Sequence, residues 1–458
     1  MGETTEPKPK TDHVSTLVEV PEPESGSWLQ IPKFARLDPS KLSLVGYSIA
    51  DQAFAVGANF LANVALARTQ TKEDYGMFAL YYSVFVFLSG LHNAAILEPY
   101  TVYASGRYRA TASEYLRLMV RSNAAACAIL SGALLLIAAI LSWVKPGYSL
   151  RTLVGLGLAV GIMLSGMFLR RAFYVERRAD LAAKSSLTYL VVVLGGVAAC
   201  MYWHLLDSQM LFLLFALGWI VAGVIFGRRL SFGKPDKNFR EIVPGYWHEH
   251  WNYMRWILGS ALVYQFTSQG YYWIVGAFLS AREVGELRAM YNLISPIEQV
   301  FIALSYVVVP SLAAHYASKR FGSFLSLWRK LALVTIVVTG SFAFLVRAIG
   351  KPALHALYAG RYDGLTAYLY VLAFLPLILW LGTSMAQAFF AAEKPRFVFY
   401  AYLGGGVATF SCGIPLVIHY GLKGAVDGML ISGIAYTSVL AVTFVLKFGL
   451  HRQSASVA

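Results

Sequence analysis

Apolar residues fill long unbroken stretches of this chain, and short polar breaks separate them at regular distances. From Ser43 the sequence reads SLVGYSIADQAFAVGANFLANVALAR, breaks at TQTKEDYG, and resumes as MFALYYSVFVFLSGLHNAAILEP. Each run is long enough to cross a bilayer, which takes about 20 residues at about 1.5 Å each. The pattern predicts an all-α integral membrane protein with twelve transmembrane helices. They lie near 43–68, 75–103, 116–144, 150–173, 184–206 and 209–228, then 254–280, 284–315, 324–349, 363–391, 396–419 and 422–447. The longest interior break is 229–253, RLSFGKPDKNFREIVPGYWHEHWNY. Its first half, with Gly233 and Pro235, reads as a cytoplasmic linker. Its second half, with Trp247, Trp251 and the nearby Trp256, reads as an interfacial segment.

Polar positions inside these runs form strips. In the first helix Asp51, Gln52, Asn59 and Asn63 fall within an arc of roughly 120° at about 100° per residue. Such groups should face protein or a water-filled cavity, since lipid cannot satisfy them. Amides also serve as glue between neighbouring helices. The second helix carries His92, Asn93 and the Glu98-Pro99 pair, where proline frees a backbone carbonyl and marks a bend. The seventh carries Gln265, Ser268, Gln269 and Tyr272, and the eighth Arg288, Asn292, Ser295 and Gln299 with Glu298 beside them. Arg288 reads either as a lumen cation or as a side chain snorkelling to the interface. The expectation is that Asp51, Asn59, Gln265, Gln269, Asn292 and Gln299 face one shared cavity. Asp51 is a candidate for coupling cargo to a cation, H+ or Na+, with Glu298 second. The alternative is a permanently ionised Asp51 that only positions the first helix.

Composition agrees with this class: 57% apolar, 14% charged, mean hydropathy +0.57. The net charge of +14 does not imply nucleic acid. Roughly three in four of the 38 Lys and Arg fall on the side of the N-terminus, so the positive-inside rule predicts cytoplasmic termini. The predicted outer loops are too short for an external catalytic domain, so no enzyme is expected. Cys127, Cys200 and Cys412 lie in apolar runs and read as packing residues. His248 and His250 flank Glu249 without the HExxH spacing, so neither metal nor other cofactor is expected. Residues 1–42 are polar, lack a signal-peptide pattern and read as a disordered cytoplasmic tail; 448–458 form a second tail.

The chain also repeats itself. EDYGMFALYYSV from Glu73 resembles REVGELRAMYNL from Arg282, setting Asp74, Gly76 and Tyr82 against Glu283, Gly285 and Tyr291, an offset of 209. RAFYVERRADL from Arg171 resembles QAFFAAEKPRF from Gln387, an offset of 216. Two collinear matches predict two six-helix lobes, 43–228 and 254–447. An even number of spans in each makes their pseudo-two-fold axis run along the membrane normal.

The stretch IADQAFAVGANFLANVALAR, followed by EDYGMFALYYSVFVFLSGLHNAAILEP, resembles polysaccharide-export and Wzx-type flippases of the multidrug/oligosaccharidyl-lipid/polysaccharide (MOP) transporter superfamily. The resemblance spans about 43 to 447. It implies a MATE-like V of two lobes around a central cavity, in the inner membrane, moving undecaprenyl-diphosphate-linked oligosaccharide for surface polysaccharide assembly. It implies the lipid bilayer, the lipid-linked oligosaccharide and other polysaccharide-assembly proteins as partners. Family members with several deep arginines differ from this chain, where Arg288 is the deep candidate. Arg117, Arg121, Arg170 and Arg171 lie nearer the cytoplasmic mouth and read as gate or recruitment residues. A cation-coupled multidrug antiporter of the same superfamily is the alternative; a membrane glycosyltransferase, polymerase or ligase fits less well.

Overall fold

A backbone buried in hydrocarbon must satisfy its own hydrogen bonds, and the apolar runs do so as helices. The computed structural model describes residues 39–106, 108–144, 150–232 and 237–449. Most of the predicted N-terminal tail, the linker residues Gly233 and Pro235, and 450–458 lie outside the described residues. The described residues fall into two units, divided between Val45 and Gly46. In the second unit the first half comprises α1 (Gly46–Thr69), α2 (Lys72–Ser105), α3 (Ala112–Val144), α4 (Arg151–Val175), α5 (Ala179–Tyr202) and α6 (Ser208–Arg229). The second half comprises α7 (Lys237–Phe278), α8 (Ala281–Ile294 continuing as Pro296–Ala317), α9 (Phe321–Tyr358), α10 (Asp363–Ala391), α11 (396–420) and α12 (422–448). Nine helical stretches among the described residues are long and apolar enough to cross a membrane. One of them, Arg396–Phe448, contains both α11 and α12. It breaks at Gly421 (φ 60°, ψ −136°), a left-handed conformation that suits glycine. The arms then pack antiparallel, so that a side chain on Gly424 would run into the Leu416 carbonyl.

The repeat is visible in backbone detail. Arg177 (φ 59°) and Glu393 (φ 56°) end α4 and α10 in the same left-handed turn. Arg178 N donates to Phe173 O at 2.8 Å, and Lys394 N donates to Phe389 O at 2.8 Å. Thr71 caps α2 and Ser280 caps α8. Where α2 and α8 meet, a Cβ on Gly285 would lie 2.7 Å from the Lys72 carbonyl oxygen, and one on Gly76 would run into the Ala281 carbonyl. Lys72 is to Ala281 as Gly76 is to Gly285, so the contact is reciprocal, as a two-fold axis between the halves requires.

Burial places that axis in context. One core joins both halves, from Ala58, Tyr75 and Phe78 to Met290, Tyr358 and Val426. At the opposite ends of the helices the core divides. Tyr100, Tyr115, Phe168 and Phe173 form one cluster, while Phe324, Phe389, Phe397 and Phe444 form another. The core is therefore single at the end carrying the α1–α2 turn and divided at the other.

The segment 237–253 is a helical extension of α7. Tyr246 is buried among the ends of α2, α3 and α4, whereas Trp251 is exposed. The side chains of Trp247 and Trp256 lie outside the described residues. Pro99 explains the attachment. It has no N–H for the Ala95 carbonyl four residues earlier; α2 widens into a π turn over Asn93–Leu97, and His250 Nε2 donates to Ala95 O at 3.0 Å. Burial pushes the His250 imidazole below its ordinary value, which keeps it a neutral N–H donor. The stability it confers is full above about pH 6.5 and falls as the pH drops from there through the lowered value, because the unfolded chain takes up the proton first. His250→Leu should remove this acid-side slope from thermal unfolding in detergent. It should also destabilise by about 1–3 kcal/mol through the orphaned carbonyl.

Candidate functional site

The predicted site residues divide into three groups instead of lining one cavity. The first is built on Asp51, which is fully buried. Arg170 grips its carboxylate in bidentate fashion, Nε to Oδ1 at 2.9 Å and Nη2 to Oδ2 at 2.6 Å. The Tyr174 hydroxyl donates to Oδ2 at 2.7 Å and the Ser186 hydroxyl to Oδ1. Four donors occupy the carboxylate. Further along α1, Asn59 accepts from the Tyr189 hydroxyl at 2.6 Å, and Asn63 donates to the Asn59 carbonyl at 2.9 Å. These contacts correct the expectation of a lumen-facing strip on the first helix. Asp51 and Asn59 tie α1 to α4 and α5 within the first half, while Gln52 is exposed. Arg170 pairs α4 with α1 through Asp51.

A second group surrounds the π turn of α2. His92 Nε2 lies 2.7 Å from Asn123 Oδ1, and Asn123 Nδ2 donates to Ser165 Oγ at 3.2 Å. Arg171 Nη2 donates to Asn93 Oδ1 at 3.1 Å, and Asn93 Nδ2 donates to Glu98 Oε1 at 3.2 Å. Arg171, Asn93 and Glu98 are all part-buried at the split end. Arg117 is part-buried and Arg121 exposed on α3.

The third group sits where the single core gives way to two. Arg288 lies over the ring of Tyr82 at 4.6 Å and that of Tyr272 at 5.9 Å. Such cation–π contacts hold a guanidinium in a fixed place without consuming all its donors. Among the described residues its Nε has no hydrogen-bond partner. Glu298 accepts from the Tyr291 hydroxyl and has Arg288 as its cationic neighbour. On α7, Gln265 packs against Gly90 of α2, and Gln269 Nε2 donates to Ser268 Oγ at 2.8 Å. The Oε1 atoms of both glutamines are buried without a partner among the described residues. Gln299 is part-buried on the same helix as Arg288. Asn292 belongs to the joined end instead, donating to the Tyr75 hydroxyl at 2.9 Å.

That joined end is held across the halves by more than the two glycines. Lys72 Nζ pairs with Glu286 Oε1 at 2.7 Å. Arg361, in the turn between α9 and α10, donates from Nη1 to the carbonyls of Ala67 (3.3 Å), Arg68 (2.9 Å) and Gln70. These carbonyls end α1, where a cation complements the helix dipole. Sequence reading missed Arg361, since an arginine in a short loop carries no periodic signal. It also missed Tyr82 as a partner of Arg288, although the repeat had matched Tyr82 to Tyr291.

No sequence-family model matches the chain, and no curated protein matches it in sequence. Solved structures do match in fold. An inward-facing multidrug resistance MATE family transporter of the MOP superfamily has a TM-score of 0.72 at 11% identity, over 88% of this chain and 96% of that one. An outward-facing multidrug resistance MATE family transporter of the MOP superfamily scores 0.64 at 10% identity, over 91% and 98%. A MOP superfamily transporter from Pyrococcus furiosus, described as having a binding pocket of reversed polarity, scores 0.65 at 10% identity, over 90% and 97%. The fold is thus that of MATE and MOP transporters.

Proposed function

We propose that the chain is an alternating-access transporter of the MOP superfamily that flips undecaprenyl-diphosphate-linked oligosaccharide across the inner membrane for polysaccharide assembly. The observation that carries this reading is the set of unpartnered polar atoms where the core divides: Gln265 Oε1, Gln269 Oε1 and Arg288 Nε. A buried polar atom without a partner costs about 1–3 kcal/mol, so a cargo that supplies partners accounts for all three. Amides suit sugar hydroxyls, Tyr82 and Tyr272 offer ring faces, and a guanidinium suits a diphosphate. With the termini cytoplasmic, the joined end is the outer one and the split opens inward. The higher score against the inward-facing MATE structure supports that orientation. The halves would then separate at the joined end and close at the split end to release cargo outside.

The multidrug reading needs an unpaired acid for a cationic drug. Asp51 is saturated by four donors, and Glu298 is held by Tyr291 beside Arg288, which favours an anionic cargo. Glu298 remains the candidate for coupling to H+ or Na+, and other polysaccharide-assembly proteins are candidate partners. The test is a reconstituted vesicle assay with a fluorescent undecaprenyl-diphosphate oligosaccharide, read by loss of signal to a membrane-impermeant quencher. Wild-type protein should accelerate its movement, and Arg288→Gln should slow it by about tenfold or more, as expected for loss of a charge-assisted phosphate contact. Movement of a cationic dye with none of the lipid-linked sugar would refute the proposal in favour of the antiporter.

A further inference from the structure

The first half contains a groove that the proposed transport path does not use. It has a volume of about 620 Å³ and runs between α3, α4 and α6. Val224 and Ile220 line it and are 71% and 44% exposed, so it opens sideways towards the bilayer and not into the split between the halves. Gly223 and Gly227 keep it open. A Cβ at either would meet nothing within 4 Å, whereas at Gly161 on the same groove it would lie 2.8 Å from Ser131 Oγ. A Gly-x-x-x-Gly face in a spanning helix ordinarily lets another helix approach closely. Here, among the described residues, none does.

The dimensions and charge of the groove identify its occupant. Along α3 it extends from Val120 to Ser131, about 16 Å at the helical rise. That is about one leaflet of a hydrocarbon core roughly 30 Å thick, too short for a helix that crosses the whole bilayer. At one end it is closed by Leu230 and Phe232. Arg228 and Arg229 lie between Gly227 and Leu230 in that turn and are exposed. Arg178 donates to the Arg229 carbonyl at 3.2 Å. The local acid, Glu176, accepts from Ser231 N at 2.9 Å. The exposed Arg228 and Arg229, next to an apolar slot one leaflet long, match the phosphate and chain of an anionic lipid. We propose that the α3–α4–α6 groove binds one hydrocarbon chain of an anionic phospholipid whose phosphate is held by Arg228 and Arg229. The inference rests on the membrane reading of the chain and not on the identity of the cargo.

Native mass spectrometry of the delipidated full-length protein tests it, titrating phosphatidylglycerol against phosphatidylcholine with the same chains. Gly223→Leu/Gly227→Leu places side chains into the slot and should weaken phosphatidylglycerol binding about tenfold or more. Arg228→Gln/Arg229→Gln should bring phosphatidylglycerol down to the phosphatidylcholine level while leaving phosphatidylcholine unchanged. In otherwise native protein, phosphatidylglycerol with brominated chains should quench Trp219, which lines the groove, as measured by difference from Trp219→Phe. This last readout stands even where the leucine pair fails to fold. Unchanged phosphatidylglycerol binding by the leucine pair, retained headgroup preference in the glutamine pair, or absence of Trp219 quenching overturns the proposal. So does a leucine pair that breaks a dimer into monomers with lipid binding intact, which would assign the face to a second copy of the chain.

Discussion

Asp51→Asn should destabilise the protein by about 3–5 kcal/mol, because it leaves the Arg170 guanidinium in the bundle without its counter-charge. The Asp51 side chain is fully buried and that of Arg170 is 16% exposed, so solvent screens this pair little. The double change Asp51→Asn/Arg170→Gln removes both charges and should recover most of the loss, since two amides can hydrogen-bond to each other and to Tyr174 and Ser186. Thermal unfolding in detergent measures the cycle. Near-equal stability of Asp51→Asn and wild type, with an altered pH dependence of transport, would reinstate Asp51 as the coupling carboxylate.

Gly76→Leu should abolish transport while leaving each half folded. Two helix backbones touch at Gly76 and Gly285, and a leucine between them forces the joined end apart instead of creating a local gap. Spin labels across that end should report a population shifted to the open state. Arg361→Gln should shift it in the same direction but less, because Arg361 is exposed and its bonds to the end of α1 compete with water. A Gly76→Leu protein that still closes and transports would show that this contact is incidental.

Much of this was legible in the sequence because it depends on periodicity. Apolar runs place the helices, and the recurrence of Asp74, Gly76 and Tyr82 as Glu283, Gly285 and Tyr291 locates the contact on the axis. The match after the fourth and tenth spans became the paired turns at Arg177 and Glu393. Facing directions were less legible. A polar strip says that a side chain avoids lipid, but not whether it meets water or another helix. Asp51 and Asn59 met α4 and α5, whereas Gln265, Gln269 and Arg288 kept unpartnered atoms. The partners that decide this, Arg170, Tyr189 and Tyr82, are far away in sequence.

The most direct measurement uses a reversible lock at the joined end. Lys72→Cys/Glu286→Cys replaces the ion pair that bridges the halves with two thiols, which a cleavable bifunctional reagent can join. In vesicles carrying undecaprenyl-diphosphate oligosaccharide, the locked protein should not flip the lipid, and cleavage of the linker should restore the unlocked rate. Flipping at the same rate with the lock in place would contradict alternating access between the two halves.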